Sequence, residues 1–382
     1  MSNTSFGASA RQALQSLGLL GFVALLVQLA RLFIVPGARQ RRKRLAYRLA
    51  NFGGPPKGLP EVQSVAVLSP RIVRVLGQNP GAFTLQGTNT YIVGTGERRV
   101  LIDAGDGNAQ YHKLLIETLR DLGATISDVI LTHEHEDHVG GVPKLRQAFP
   151  DACFWKRPKR PNEKDPSGRR YDRILENASV IAVRGATLRA VLTPGHTADH
   201  VSLVLQEEAA IFSGDCVLGS GTAVFENLHE YVGSLRILLR ELEIAKTEVI
   251  LSSDDAELDL DAVSPDERDT APSSQTLVQD HSDGKVQPGR LYPGHGPVVP
   301  DGTKRIKEYI EHRQRREDQI LAALGDEKGP KTIQALVDLI YANQNLSWIL
   351  KRGASRSTAQ HLDKLQRETR VKRTSDGWTL VK

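Results

Sequence analysis

Cysteine is almost missing from this chain: Cys153 and Cys216 are the only two among 382 residues. So few thiols exclude a disulfide scaffold and a multi-cysteine zinc ribbon. No phosphate-binding glycine loop, dinucleotide fingerprint or serine nucleophile elbow occurs in the sequence. Acidic residues are missing from positions 1–60, which hold nine Lys/Arg. What remains is an ordinary globular composition, 40% apolar and 25% charged. It excludes a collagen-like, wholly disordered or polytopic membrane protein. The net charge of +5 averages three unlike regions: +9 over 1–60, −11 over 61–301 and +7 over 302–382.

Residues 1–60 read as an address rather than a domain. Leu17 to Val35 is nineteen residues with fifteen apolar positions. As a helix rising about 1.5 Å per residue, it just spans a hydrocarbon core of about 30 Å. Arg39, Arg41, Arg42, Lys43 and Arg44 follow directly. One reading is a membrane anchor, with membrane association through residues 12–35. Another is a transit peptide for the mitochondrion, since acids are absent and Arg is favoured over Lys. A secretory signal fits least well, because the strongest positive cluster follows the apolar run. A buried core helix is the remaining alternative. The Gly/Pro-rich residues 51–60 read as a linker, so the folded domain begins near Glu61.

From Ser69 the chain alternates short β-rich runs with turns: Ile72–Leu76, Thr90–Val93 and Val100–Ile102, the last ending at Asp103. These runs are too close together for crossover helices, so a meander is expected. A helix follows over His112–Leu122, then a buried strand, Val129–Leu131. That strand runs into Thr132-His-Glu-His-Glu-Asp-His138, which puts three histidines and an aspartate within six residues. His133 and His135, two apart, turn toward one ion from a loop after a strand. Asp137 and His138 come one residue too late for that face and serve a second. Imidazole and carboxylate donors suit Zn²⁺. The alternative is a helix start, where Glu134, Glu136 and Asp137 suit a first turn. Three later apolar runs each end in a glycine-bearing turn that presents one further ligand candidate: His196, Asp215 and His295.

This combination resembles the metallo-β-lactamase superfamily over about residues 61–301. The resemblance implies an α/β protein, an αββα sandwich with a two-metal site on one edge. It implies two Zn²⁺ per chain, the first held by His133, His135 and His196, the second by Asp137, His138 and His295, with Asp215 bridging both. A hydroxide between the two metals would be the nucleophile. The runs Val75–Tyr91, Gly185–Arg189, Phe212–Glu226 and Tyr292–Val298 resemble those of two narrower groups. These groups are the mitochondrial lactamase-β-like endoribonucleases and the fungal lactamase-like thioesterases that act on acyl carrier protein. Both groups usually carry tryptophan where this chain has Glu134. That difference bears on the mouth of the site and so on the substrate.

Residues 252–284 hold ten acidic residues against one arginine, and such a segment reads as a disordered insertion. Residues 302–382 read as helices over Ile306–Leu324, Ile333–Asn343 (capped by Thr332) and Ser357–Thr369, then a hairpin around Asp376-Gly377. This is a small winged-helix-like domain, as the resemblance also implies. Its Lys351, Arg352, Arg356, Lys372 and Arg373 suit phosphate contacts, or merely a solvated surface.

Asp137 and Asp215 are the candidate catalytic carboxylates, and His200 a candidate for orienting a ligand or donating a proton. Cys216 reads as a packing thiol. The expected function is a di-zinc hydrolase cleaving single-stranded RNA. Two alternatives stand: an acyl-thioester hydrolase whose substrate sits on a carrier protein or small molecule, and a non-catalytic RNA- or protein-binding protein. The oligomeric state is left open.

Overall fold

A computed structural model describes residues 45, 47, 48, 51, 54–255, 278–279, 287–325, 329–342 and 348–381. The candidate leader at 12–35 and most of the acidic insertion lie outside them. No described helix is long and apolar enough to cross a membrane. The chain divides into two compact units, Gly54–Tyr309 and a second containing Ile310–Lys382.

The first unit begins with the expected meander: β1 (Val65–Ser69), β2 (Ile72–Leu76), β3 (Asn89–Val93) and β4 (Arg98–Ile102). Helix α1 (Ala109–Asp121) is capped by the Asn108 side chain, which accepts from the Gln110 amide. It leads to β5 (Thr125–Leu131), which pairs parallel with β4. Short helices α2 (Glu136–Val139) and α3 (Val142–Ala148) follow, then β6 (Cys153–Lys156) and β7 (Arg173–Ile174). The second sheet is built from β8 (Val180–Val183), β9 (Ala186–Leu192), β10 (Val201–Leu205) and β11 (Ala210–Gly214). Helix α4 (Leu228–Asp255) packs on β10 and β11. Val278–Gln279 (β12) adds to the first sheet beside β1, and Leu291–Pro293 (β13) to the second beside β11.

The sheets, of eight and five strands, stack face to face with helices outside, an αββα sandwich. Strand alternation explains the layering, because successive side chains point to opposite faces. Tyr91, Val93, Val100, Ile102 and Ile130 enter the core shared with Leu188, Leu203 and Phe212 of the second sheet. Their neighbours Ile92, Leu101, Val129 and Leu131 pack outward against Tyr111, Leu115 and Leu119 of α1. Full burial of each such aliphatic side chain contributes about 1.5–3 kcal/mol.

Residues 252–284 were expected as an unstructured loop. Their described parts instead end α4 at Asp255 and form β12. The apolar, β-branched Val278 suits a strand edge better than the surrounding acids do.

The second unit holds most of α5 (Gly302–Gly325), then α6 (Ile333–Ile340), α7 (Trp348–Arg367), β14 (Val371–Thr374) and β15 (Gly377–Leu380). The Thr332 side chain caps α6 by accepting from the Ala335 amide. The wing turns at Gly377, whose φ is 141°. Ile320, Leu336, Leu362, Leu365, Val371 and Trp378 form its core.

Candidate metal centre

Parallel pairing of β4 with β5 brings two strand ends to one edge of the first sheet. Asp103 ends β4 with φ 62°, a left-handed turn that aims its carboxylate along the edge. It accepts from the Thr132 amide at 2.9 Å and lies 2.7 Å from His138 Nδ1. The Thr132 hydroxyl, 2.9 Å from the same carboxylate, lies 3.0 Å from His133 Nδ1. Gly140 and Gly141 are required by close approach: a Cβ at Gly141 would run into the carbonyl of Ala104. Without it, α2 lies against the Ala104–Gly105 turn, where Ala104 N donates to His138 O at 2.8 Å. Asp137 lies in the first turn of α2. The segment thus starts a helix, as one reading of the motif has it, and also brings Asp137 and His138 into a cluster that could hold a metal ion.

The second sheet contributes three turns at the same edge. The β9–β10 turn carries His196 and His200, and Val201 N donates across to Thr132 O at 2.9 Å. Asp215 follows β11 and His295 follows β13, and these two strands pair parallel.

Seven side chains converge in two groups: His133, His135, His196 and Asp215, and Asp137, His138 and His295. In the first, His133 Nε2 is 3.0 Å from His135 Nδ1 and 3.3 Å from His196 Nε2. His196 Nε2 is 3.0 Å from His135 Nδ1. In the second, Asp137 Oδ2 is 3.1 Å from His138 Nε2 and 3.2 Å from His295 Nε2. Asp215 reaches both groups: Oδ2 is 3.5 Å from His196 Nε2 and 3.3 Å from His295 Nε2, and Oδ1 is 3.5 Å from His138 Nε2.

These residues fit metal ions. Two donors about 2.0–2.1 Å from one tetrahedral zinc stand about 3.3 Å apart. A carbonyl only accepts, so His196 Nδ1 must donate to Val224 O, at 2.6 Å, which leaves the Nε2 lone pair facing the cluster. Lone pairs aimed at one point call for a cation between them, with the outer ring nitrogens held by oxygen partners. Asp215 Oδ1 is buried without a hydrogen-bond partner. Charge tells the same story. Burial and the neighbouring His138 hold His133 well below the usual imidazole range, and burial with His196 lowers His135 to about 4. Burial alone would raise Asp137, but His138 and His295 outweigh it and hold the carboxyl well below its ordinary range. Burial would lower His138 and His295 too, but Asp137 and Asp215 outweigh it, raising His138 well above the usual imidazole range and His295 to about 10. His133 and His135 of the first group thus offer neutral imidazoles, and the second group binds protons that a metal ion would displace.

His200 sits behind the ligands. Its Nε2 accepts from the Asp215 amide at 3.1 Å, and its Nδ1 is 2.8 Å from the Thr193 hydroxyl. Both nitrogens are engaged within the fold, so the geometry suits orientation of Asp215 rather than proton donation. Burial, then His196, pushes its pKa well down. Burial pushes the Cys216 thiol up, and it is fully buried. Glu134 points away from the ligands and bonds Lys159 at 2.9 Å, and Lys159 also holds Glu226 at 2.9 Å.

Several positioning groups were not identified from sequence. Thr88 donates to Asp137 Oδ2 at 3.0 Å and is itself held by Asn79. Lys156 and Asp199 form a fully buried ion pair beneath the His196–His200 turn. The main signal for Asp103 was an acid ending an apolar strand. Asp103→Ala should weaken metal binding about 10–100-fold, as loss of a group supporting a ligand does. A chelator competition titration measures this, and unchanged affinity would deny Asp103 that role.

Comparison with known proteins agrees with this geometry. The model of the "Metallo-beta-lactamase superfamily" matches residues 83–254, and that of the "Beta-lactamase associated winged helix domain" matches 332–378. The chain is 36% identical over 308 residues to the "Beta-lactamase-like protein 2 homolog" of Caenorhabditis elegans, covering 80% of this chain and 88% of that protein. It is 38% identical over 304 residues to the "Atrochrysone carboxyl ACP thioesterase" of Aspergillus fumigatus, covering 76% and 79%. Among solved structures, a beta-lactamase domain protein from Burkholderia ambifaria matches at TM-score 0.58 and 16% identity, covering 86% and 97%.

Proposed function

This chain belongs to the metallo-β-lactamase superfamily, and from that premise we propose that it is a di-zinc hydrolase of acyl thioesters. The donor set carries the metal part of the reading: five imidazoles and two carboxylates, in two groups that Asp215 lies within 3.5 Å of, suit zinc better than harder cations. Zinc held there supplies Lewis acidity and lowers the pKa of bound water to near neutrality. The chain's own residues set the geometry. Asp103 fixes His138, the Val224 carbonyl fixes His196, and His200 fixes the backbone of Asp215.

Two observations support the thioester. Relatives at 34–38% identity are named as acyl carrier protein thioesterases. The segments that hold the ligands also carry exposed apolar side chains. Val224, whose carbonyl holds His196, is 57% exposed, and Phe83, on the loop that holds Asp137, is 42% exposed. Such surfaces suit an acyl group better than a phosphodiester backbone.

Cleavage of single-stranded RNA is the second reading. It is favoured by the exposed cations Arg352, Arg356, Lys372 and Arg373 of the winged-helix domain. A panel of acyl thioesters with colorimetric thiol detection, run beside labelled single-stranded RNAs, tests both. Thiol release that stops on chelation is expected. RNA cleavage with no thiol release would reverse the order of the two readings.

A further inference from the structure

The segment between β6 and β7 has a charge arrangement that neither the fold nor the metal centre uses. Its acids are spent on folding it. Glu163 accepts the Lys159 amide at 2.6 Å. Buried Asp165 accepts the Ser167 amide at 2.7 Å and the Arg169 amide at 3.3 Å, and is latched by Arg146 at 2.7 Å. Asp172 accepts the Phe154 amide at 2.9 Å and pairs with Arg146 at 3.1 Å. A bridge between Lys164 and Arg170 closes the turn into a small hairpin. Of the cations, Lys156 pairs with Asp199, and Lys159 with Glu134 and Glu226. Arg160, Lys164, Arg169 and Arg170 remain exposed. The side chain of none of the four makes an ion pair or hydrogen bond with a described residue, and the Arg170 carbonyl accepts from Arg146 at 3.2 Å.

We propose that this hairpin is a docking surface for an acidic protein, which on the thioester reading above is the carrier that delivers the acyl group. Three features favour a protein over a nucleic acid. The aromatic residue on the segment, Tyr171, is half-buried with Lys156 over its ring, so no exposed ring is offered for base stacking. Ile174, 58% exposed on edge strand β7, places an apolar anchor beside the arginines, as protein interfaces do. Arginine outnumbers lysine three to one among the four cations, and its planar fork matches carboxylates two bonds at a time. The same segment reaches the metal centre, because Lys159 bonds Glu134, the residue between His133 and His135. A partner docked on the hairpin therefore lies beside the ligand loop.

The test is fluorescence anisotropy with a labelled holo acyl carrier protein, run on the zinc-loaded full chain and on R160Q/K164Q/R169Q/R170Q. The variant should raise the Kd by at least about tenfold at low ionic strength, and added salt should weaken wild-type binding. Its kcat/KM on an uncharged acyl-N-acetylcysteamine thioester should stay within about twofold of wild type. No binding of the carrier by wild type, or equal binding by both proteins, overturns the proposal. So does a labelled oligouridylate that binds wild type and is lost in the variant while the carrier never binds. Carrier binding without hydrolysis of any thioester would leave the docking surface standing and overturn the thioester reading instead.

Discussion

Asp215→Ala is expected to abolish hydrolysis, lowering kcat/KM by at least about 10³-fold, or roughly 4 kcal/mol in transition-state stabilisation. The size follows from its position. Asp215 is the carboxylate within reach of both ligand groups, at 3.5 Å from His196, 3.3 Å from His295 and 3.5 Å from His138. Asp137 faces His138 and His295, so Asp137→Ala should impair the second group while the first keeps its donors. The two variants therefore differ in metal content as well as in rate. Zinc quantification beside the kinetics, with circular dichroism to confirm folding, reads both. An Asp215→Ala protein that kept its metal and its activity would refute the shared role.

Lys156→Ala should be the most destabilising single change outside the ligands, costing about 3–5 kcal/mol. Lys156 and Asp199 are both 0% exposed, and Asp199 Oδ1 already lacks a partner. Removing the ammonium leaves a carboxylate buried and uncompensated, which costs far more than the pair itself contributes. The pair joins the end of β6 in one sheet to the β9–β10 turn of the other, so the damage falls on the loop that carries His196 and His200. A drop of about 10 °C in melting temperature is expected. Lys156→Met combined with Asp199→Leu should recover most of it, because apolar groups of similar volume replace such pairs at little cost. If the double variant melts no higher than the single one, the loss is one of packing rather than of an unpaired charge.

The clustering of the seven candidate ligands was legible in the sequence because their chemistry is concentrated. Four lie within six residues at the end of one strand, and His196, Asp215 and His295 each follow an apolar run and a glycine. The meander was legible from strand spacing, and the wing from Asp376-Gly377. The supporting residues were not, because each is a lone polar residue until pairing gives it a partner. Asp103 gains its role from the β4–β5 register that sets it against Thr132, and Lys156 and Asp199 meet across the two sheets. Helix α7 begins at Trp348 rather than Ser357, since Lys351-Arg352-Gly353 breaks the apolar period. Helix α4 was left unassigned although Leu228, Tyr231, Leu235, Leu238 and Leu242, all buried, recur at helical spacing.

On the proposed reading the seven convergent side chains hold catalytic zinc. Metal analysis of the purified full chain by mass spectrometry tests this most directly. Two zinc ions per chain are expected, with activity lost on chelation and regained on adding zinc. Fewer than one bound metal per chain, with activity indifferent to chelator, would contradict it.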